Sequence, residues 1–197
     1  MRKSLLVGWL LLPIGAWAYH EGPGQDRLVL DDAERCLRAA DAAVAEEHWE
    51  TAVAKYQEAL SLLPAEPRRH VQQVRLELAK ARMQASELPV ARADLADLVA
   101  EMQAQTDADA TVLAGARDAL ANSQYYMTWL MRLEGMPREK WEPEIEAARQ
   151  TYALLAEQAQ ARGDDAAAHR HQQDLESSVR LARMELSDLQ GLPLPSQ

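Results

Sequence analysis

Residues 50–64 read ETAVAKYQEALSLLP, and this stretch decides the fold. Ala52, Tyr56 and Ala59 stand four and then three residues apart, so on an α-helix they share one face. Small side chains at two of those positions let a neighbouring helix approach closely, the tyrosine fills the gap between the helices, and Pro64 ends the segment. Upstream, apolar residues recur at helical spacing from Leu28, and a break at Glu47-His48 divides residues 28–63 into two helices. Pro64 and Pro67 close the pair.

Downstream the same organisation recurs. Val71, Val74, Leu78, Ala81 and Ala85 step by three and four, Ser86 to Pro89 interrupts them, and Ala91, Leu95, Leu98 and Met102 resume. Pro89 suits a first helical turn. Thr106 to Asp109 supplies capping residues for a helix that runs to Glu134 and stops at Gly135-Met136-Pro137. Its partner is expected to begin near Pro143, to show Ile145, Ala148, Tyr152, Leu155 and Ala159 on one face, and to end at Arg162-Gly163-Asp164. A long last helix follows, in which Ala168, Leu175, Val179, Ala182, Leu186 and Leu189 keep a near-heptad spacing before Gly191 and Pro193 close it. No segment alternates with a period of two, phenylalanine is absent and glycine is scarce. The expected fold class is all-α, with antiparallel helix pairs and a long C-terminal helix.

The stretch from Ala33 to Glu66 resembles a tetratricopeptide repeat. In that family the second helix of each repeat carries a small residue, an aromatic four on, a small residue three further and then a proline, here Ala52, Tyr56, Ala59 and Pro64. The first half departs from the pattern, because positions that favour Trp, Leu, Gly and Tyr hold Cys36, Ala39, Ala40 and Ala43, and only Ala40 keeps the expected smallness. A fainter copy aligns Ala79, Ala91 and Leu95, displaced by 39 residues (Ala52 to Ala91) where the family repeat is about 34. The resemblance implies a stacked helical array whose inner face binds peptides or partner proteins. An irregular helical bundle is the other reading of the same residues.

The first residues read as an address. Arg2 and Lys3 precede an apolar run, Leu5 to Ala18, that closes on Ala16-Trp17-Ala18, a pattern of the kind signal peptidase cuts. As a helix the run reaches only about 21 Å against a hydrocarbon core of about 30 Å, which disfavours a permanent span. The expected organisation is a signal peptide over 1–18, a flexible lead-in over 19–27, a helical domain over 28–192 and a tail over 193–197, in a protein exported to the periplasm or medium.

Composition then narrows the chemistry. The formal charge is −10 over 197 residues, and loss of Arg2 and Lys3 with the leader makes the mature chain more acidic still. That balance opposes phosphate attraction, so nucleic acid is not an expected partner. The single cysteine, Cys36, forbids an internal disulfide and falls among small apolar residues, which reads as a buried packing position. His169 and His171 are two apart, so on a helix their rings point to different sides and do not share a metal. His20 in a mature amino terminus reads as part of a disordered tail. Nucleophile-elbow, phosphate-loop and dinucleotide motifs are missing. No catalytic residue, cofactor or metal is expected.

Two surfaces stand out as partner-binding candidates. Residues 68–82 (RRHVQQVRLELAKAR) carry Arg68, Arg69, Arg75, Lys80 and Arg82 against a single acid, Glu77. Arg68, Arg75 and Arg82 are seven apart and form a stripe that suits a partner's acidic segment or C-terminal carboxylate, in which case the stripe serves binding and contributes little to stability. A solvated helix face has the same pattern. Residues 124–136 (QYYMTWLMRLEGM) put Tyr125 and Trp129 on one face of a helix that is apolar nearly all round, which suits either a central core helix or one shared with a partner. The expected function is an exported protein-binding module, a scaffold or assembly factor of the cell envelope. A coiled-coil oligomerisation element built on the last helix and an envelope enzyme with a dispersed site are the alternatives. Export has a direct consequence: N-terminal sequencing of the exported protein should find Tyr19, and a chain still beginning at Met1 would instead support an anchored leader.

Overall fold

A computed structural model of the chain describes residues 25–185 together with 188 and 189; the leader, Tyr19, His20, Leu186, Gly191, Pro193 and the tail lie outside the described residues. Among the described residues there are seven helices and no strand. They fall into two compact units, the first ending at Ala65 and the second beginning at Glu66.

The first unit is one hairpin, α1 (Gln25–Ala45) and α2 (Trp49–Leu62). Small residues make the seam: Ala33, Ala40 and Ala43 of α1, and Ala52 and Ala59 of α2, are buried, and Tyr56 among them is 4% exposed. Its hydroxyl donates to Asp41 Oδ1 at 2.7 Å, which satisfies the one polar group the ring brings into the seam. The turn is tight because Glu47 takes a positive φ of 58°, and the amide of His48 reaches back to the Ala43 carbonyl at 2.8 Å.

The second unit contains α3 (Arg68–Gln84), α4 (Leu88–Gln103), α5 (Ala110–Leu133), α6 (Arg138–Ala161) and α7 (Asp165–Arg183). Consecutive helices pack on one another, and α3 also touches α5. Leu76, Ala79 and Met83 of α3 meet Ala91, Leu95, Leu98 and Met102 of α4 and Val112, Ala116 and Ala119 of α5 in one cluster. Gly115 lets α5 come close, since a Cβ there would stand 3.2 Å from Leu76 Cδ2. The α3–α4 turn repeats the first one. Ser86 has a φ of 65°, the amide of Glu87 bonds the Arg82 carbonyl at 2.9 Å, and residues 47 and 86 differ by the same 39 as Ala52 and Ala91. Ala91 and Leu95 are fully buried, as Ala52 is, and Tyr56 is nearly so. Arg92 of α4 ties α6 into this unit through a two-point bond to Glu144, at 3.1 and 2.6 Å.

Asp109 caps α5, accepting from the amides of Thr111 and Val112 at 2.9 and 3.0 Å. Those bonds hold its carboxyl below the usual carboxylate range, with Arg69 adding to the effect and burial opposing it. Gly163 and Asp164 end α6 and cap α7 as expected, Asp164 accepting from the amide of Ala167 at 3.0 Å. Ile145, Ala148, Tyr152, Leu155 and Ala159 are all buried on the inner face of α6.

Three expectations need correction. α6 begins at Arg138, with Pro137 as its N-cap, so Pro143 lies inside the helix, where it forgoes only the bond its amide would have made to Glu139. The last helix stops at Arg183, where Met184 turns extended with a ψ of 147°. Arg132 of α5 sets that end, donating to the carbonyl oxygens of Leu181 and Met184 while its guanidinium lies 4.8 Å over the Trp141 ring. Leu189 therefore reaches the core beyond the end of α7, beside Trp129, Ile145 and Leu181. Within α7 the buried face is Ala167, Ser178 and Leu181, while Ala168, Leu175, Val179 and Ala182 of the near-heptad row are half-buried. Cys36 is half-buried rather than enclosed; burial and then the neighbouring Glu58 carboxylate push its thiol up, against the activation a nucleophile needs. No helix among the described residues is long and apolar enough to cross a membrane.

Tyr56→Ala should destabilise the chain by about 3 to 5 kcal/mol in denaturant unfolding, as other aromatics deleted from cores do. A loss under about 0.5 kcal/mol, typical of surface changes, would show that the ring does not hold the hairpin together.

Candidate functional site

Three helices of the second unit converge on a polar recess. On α5, Asp118, Asn122 and Tyr125 recur at four and three residues and share a face; on α7, Asp174 and Ser177 do the same at three. α6 contributes Tyr152, which packs with Ala121 and Ala148 where small side chains bring α5 and α6 together. Tyr126 completes the lining, and the cavity measures about 320 Å³. Tyr125 and Tyr126 meet edge to face, with centroids 5.6 Å apart and planes at 87°.

The charge in the recess is not balanced there. Burial pushes the Asp118 carboxyl up, with His171, Lys80 and Arg170 opposing from nearby. Burial and then the Asp118 charge push Asp174 up, opposed by His171 and Arg170. The Tyr152 phenol is driven far above its ordinary range by burial and by both aspartates, and Tyr125 and Tyr126 are raised chiefly by burial. His171 sits at the edge of this group. Its Nδ1 is enclosed without a hydrogen-bond partner, 3.5 Å from Asp118 Oδ1 and 3.8 Å from Asp174 Oδ2. His169 points elsewhere, exposed and 3.1 Å from the Gln173 amide nitrogen, so the two histidines do part as their spacing predicts.

The arginine stripe is neutralised by the fold. Arg68 pairs with Glu66 at 2.7 Å, Arg75 with Glu101, and Arg82 with Asp94, with Glu87 3.4 Å away. Arg69 pairs with Asp109 at 2.9 Å and Lys80 with Glu77 at 3.1 Å. The carboxylates missing from the segment itself arrive from its flank, from α4 and from the cap of α5. Nor do the three arginines share one open surface, because their side chains are 62%, 31% and 14% exposed along the stripe. Glu101 is held below its usual range by the Arg75 bond, with Gln72 and Gln105 adding to it and burial opposing. Arg82, expected to serve binding rather than stability, is part of the packed structure.

Tyr125 and Trp129 separate in the same way. Trp129 is buried among Ile145, Leu181 and Leu189, so it packs the core rather than presenting a partner surface, whereas half-buried Tyr125 both touches that cluster and lines the recess. Asp118 and Asp174 escaped sequence reasoning, and Tyr152 and His171 entered it only as a core-facing residue and as one of a divergent histidine pair, because the four sit on three helices and match no motif. The i, i+3 spacing of His171 and Asp174 was the one local signal. No protein-family model matches this chain, and no match is found among curated proteins.

Arg82→Ala should cost about 1.5 to 3 kcal/mol in thermal or denaturant unfolding, the range for losing hydrogen bonds to a charged partner. An unfolding midpoint unchanged from the parent would return Arg82 to the role of a free surface charge.

Proposed function

We propose that this chain is an exported protein-binding module built from helical hairpins, a scaffold or assembly factor of the cell envelope that holds a partner at the α5–α6–α7 recess. The observation that supports this reading best is the recess itself. It opens to solvent beside exposed Asn122, it is lined by two carboxylates and three tyrosines, and tyrosines supply contact area at low conformational cost with a polar handle. The likeness of Ala33–Glu66 to a tetratricopeptide repeat points to the same class of function. An acidic segment docking on Arg68, Arg75 and Arg82 would have to displace ion pairs already made, so the recess is the better site for a partner.

An envelope enzyme is the second reading, and the recess favours it to this extent: it gathers titratable groups that such an enzyme requires. The two readings part on whether the captured partner is chemically altered.

The test places a photo-crosslinking side chain at Asn122, and at exposed Arg68 as a control, in the native envelope. A discrete partner captured from position 122 and not from 68 is expected. With that partner purified, Ser177→Trp, which fills the recess, should weaken binding at least about tenfold, the equivalent of roughly 1.4 kcal/mol. Unchanged affinity in a folded Ser177→Trp variant would remove the recess from the binding surface. An altered mass of the partner after incubation would favour the enzyme.

A further inference from the structure

Asp118 on α5 and His171 and Asp174 on α7 bring three donor atoms within 4.8 Å of one another. His171 meets both aspartates at ion-pair rather than hydrogen-bond distance. The two separations from His171 Nδ1, 3.5 and 3.8 Å, are too long for hydrogen bonds, and that nitrogen is enclosed and has no hydrogen-bond partner. Atoms that face one another across such gaps suit a small shared occupant. Ligands about 2.1 Å from one ion stand about 3.0 Å apart at right angles, about 3.4 Å apart at tetrahedral angles and at most about 4.2 Å apart when opposite. Both nitrogen-to-oxygen separations fall inside that span.

We propose that Asp118, His171 and Asp174 bind one divalent transition-metal ion of the zinc, cobalt or nickel type. The charge fits, since a dication adds to the partial compensation that His171 and Arg170 give two carboxylates which burial disfavours in their charged form. The placement fits as well. His171 and Asp174 are spaced i, i+3 and so project from one face of α7 toward Asp118 on α5, which is how helical bundles assemble metal sites from facing helices. An imidazole among the donors selects a borderline metal over calcium or magnesium, which prefer all-oxygen sites. Three protein ligands leave coordination positions open, and both aspartates also line the recess.

This proposal is independent of the protein-binding reading, because it concerns the purified chain alone. The mature protein, stripped with chelator, is titrated with Zn²⁺ by calorimetry and with Co²⁺ by visible absorption. One equivalent per chain is expected, with a rise in the unfolding temperature on adding Zn²⁺. His171→Ala and the nearly isosteric Asp118→Asn should each weaken binding by more than about tenfold and abolish the thermal shift, while His169→Ala should change neither. Asp118→Asn removes a half-buried charge and is expected to fold, so a misfolded His171→Ala leaves the test intact. Absence of a stoichiometric site in the folded parent chain would overturn the proposal. So would undiminished affinity in folded Asp118→Asn, which would place the ion elsewhere, for instance at His20 near the amino terminus.

Discussion

A residue in the left-handed region, two places beyond the last residue of a helix, determines how this chain folds back on itself. Glu47, Ser86, Gly135 and Gly163 all have φ between 58° and 73°, and in each case the next amide bonds a carbonyl five residues earlier, those of Ala43, Arg82, Met131 and Ala159. This bond satisfies a carbonyl that the helix end would otherwise leave open and reverses the chain within about three residues. A reversal that short leaves consecutive helices no choice but to lie side by side. The residues on the facing sides must then be small, and the buried Ala40, Ala52 and Ala59 of the first hairpin, or Ala121 packed with Ala148, meet that demand. At Gly135 and Gly163 an added Cβ would meet nothing within 4 Å, so backbone angle rather than space is what calls for glycine there. Glu47 and Ser86 adopt the same angle without that freedom, at a cost of about 1 kcal/mol each.

This local control explains which parts of the fold were legible in the sequence. Helix number, the break at residues 47–48, the Ser86–Pro89 turn, the Asp109 cap and the Gly163-Asp164 junction all follow from residues within one turn of the event they predict. Pro143 misled because a proline early in a helix resembles a proline at its start, and the difference rests on Pro137 and the first turn after it. The end of α7 was illegible for a stronger reason. The near-heptad row continues past Arg183, but Arg132, on a helix two elements earlier, takes the carbonyls of Leu181 and Met184 and ends the helix there. Burial in that lower-dielectric position disfavours the charge on Arg132, with Glu185 opposing, so the hydrogen bonds to carbonyl oxygens also compensate its loss of water.

Charge was the least legible property, because its compensation is entirely tertiary. Counted along the chain, residues 68–82 have one acid for five bases; in the folded unit each of those bases has a carboxylate partner, several from other elements. A local excess in the sequence is thus no measure of the field at the surface. The reverse holds on α5 and α7. Asp118 and Asp174 look like ordinary helix-surface acids when read in sequence, each with basic neighbours close along the chain, yet folding brings them together and half-buries both.

The contrast between these two regions is what singles out the recess. Ion pairs such as Arg75 with Glu101 lower the carboxylate's affinity for protons and consume both charges, so they hold helices together and leave nothing for a ligand to neutralise. In the recess the direction is opposite: burial raises Asp118, Asp174 and three tyrosines together, and the one nearby imidazole stands too far from either carboxylate to share a hydrogen bond. A fold selected only for stability gains nothing from bringing two acids together in a partly dry cavity, since neutral residues of the same volume would pack there without the repulsion. The arrangement makes physical sense when something arrives to offset it, and the residues that would receive it lie on α5 and α7, the same helices that Arg132 joins at the end of α7.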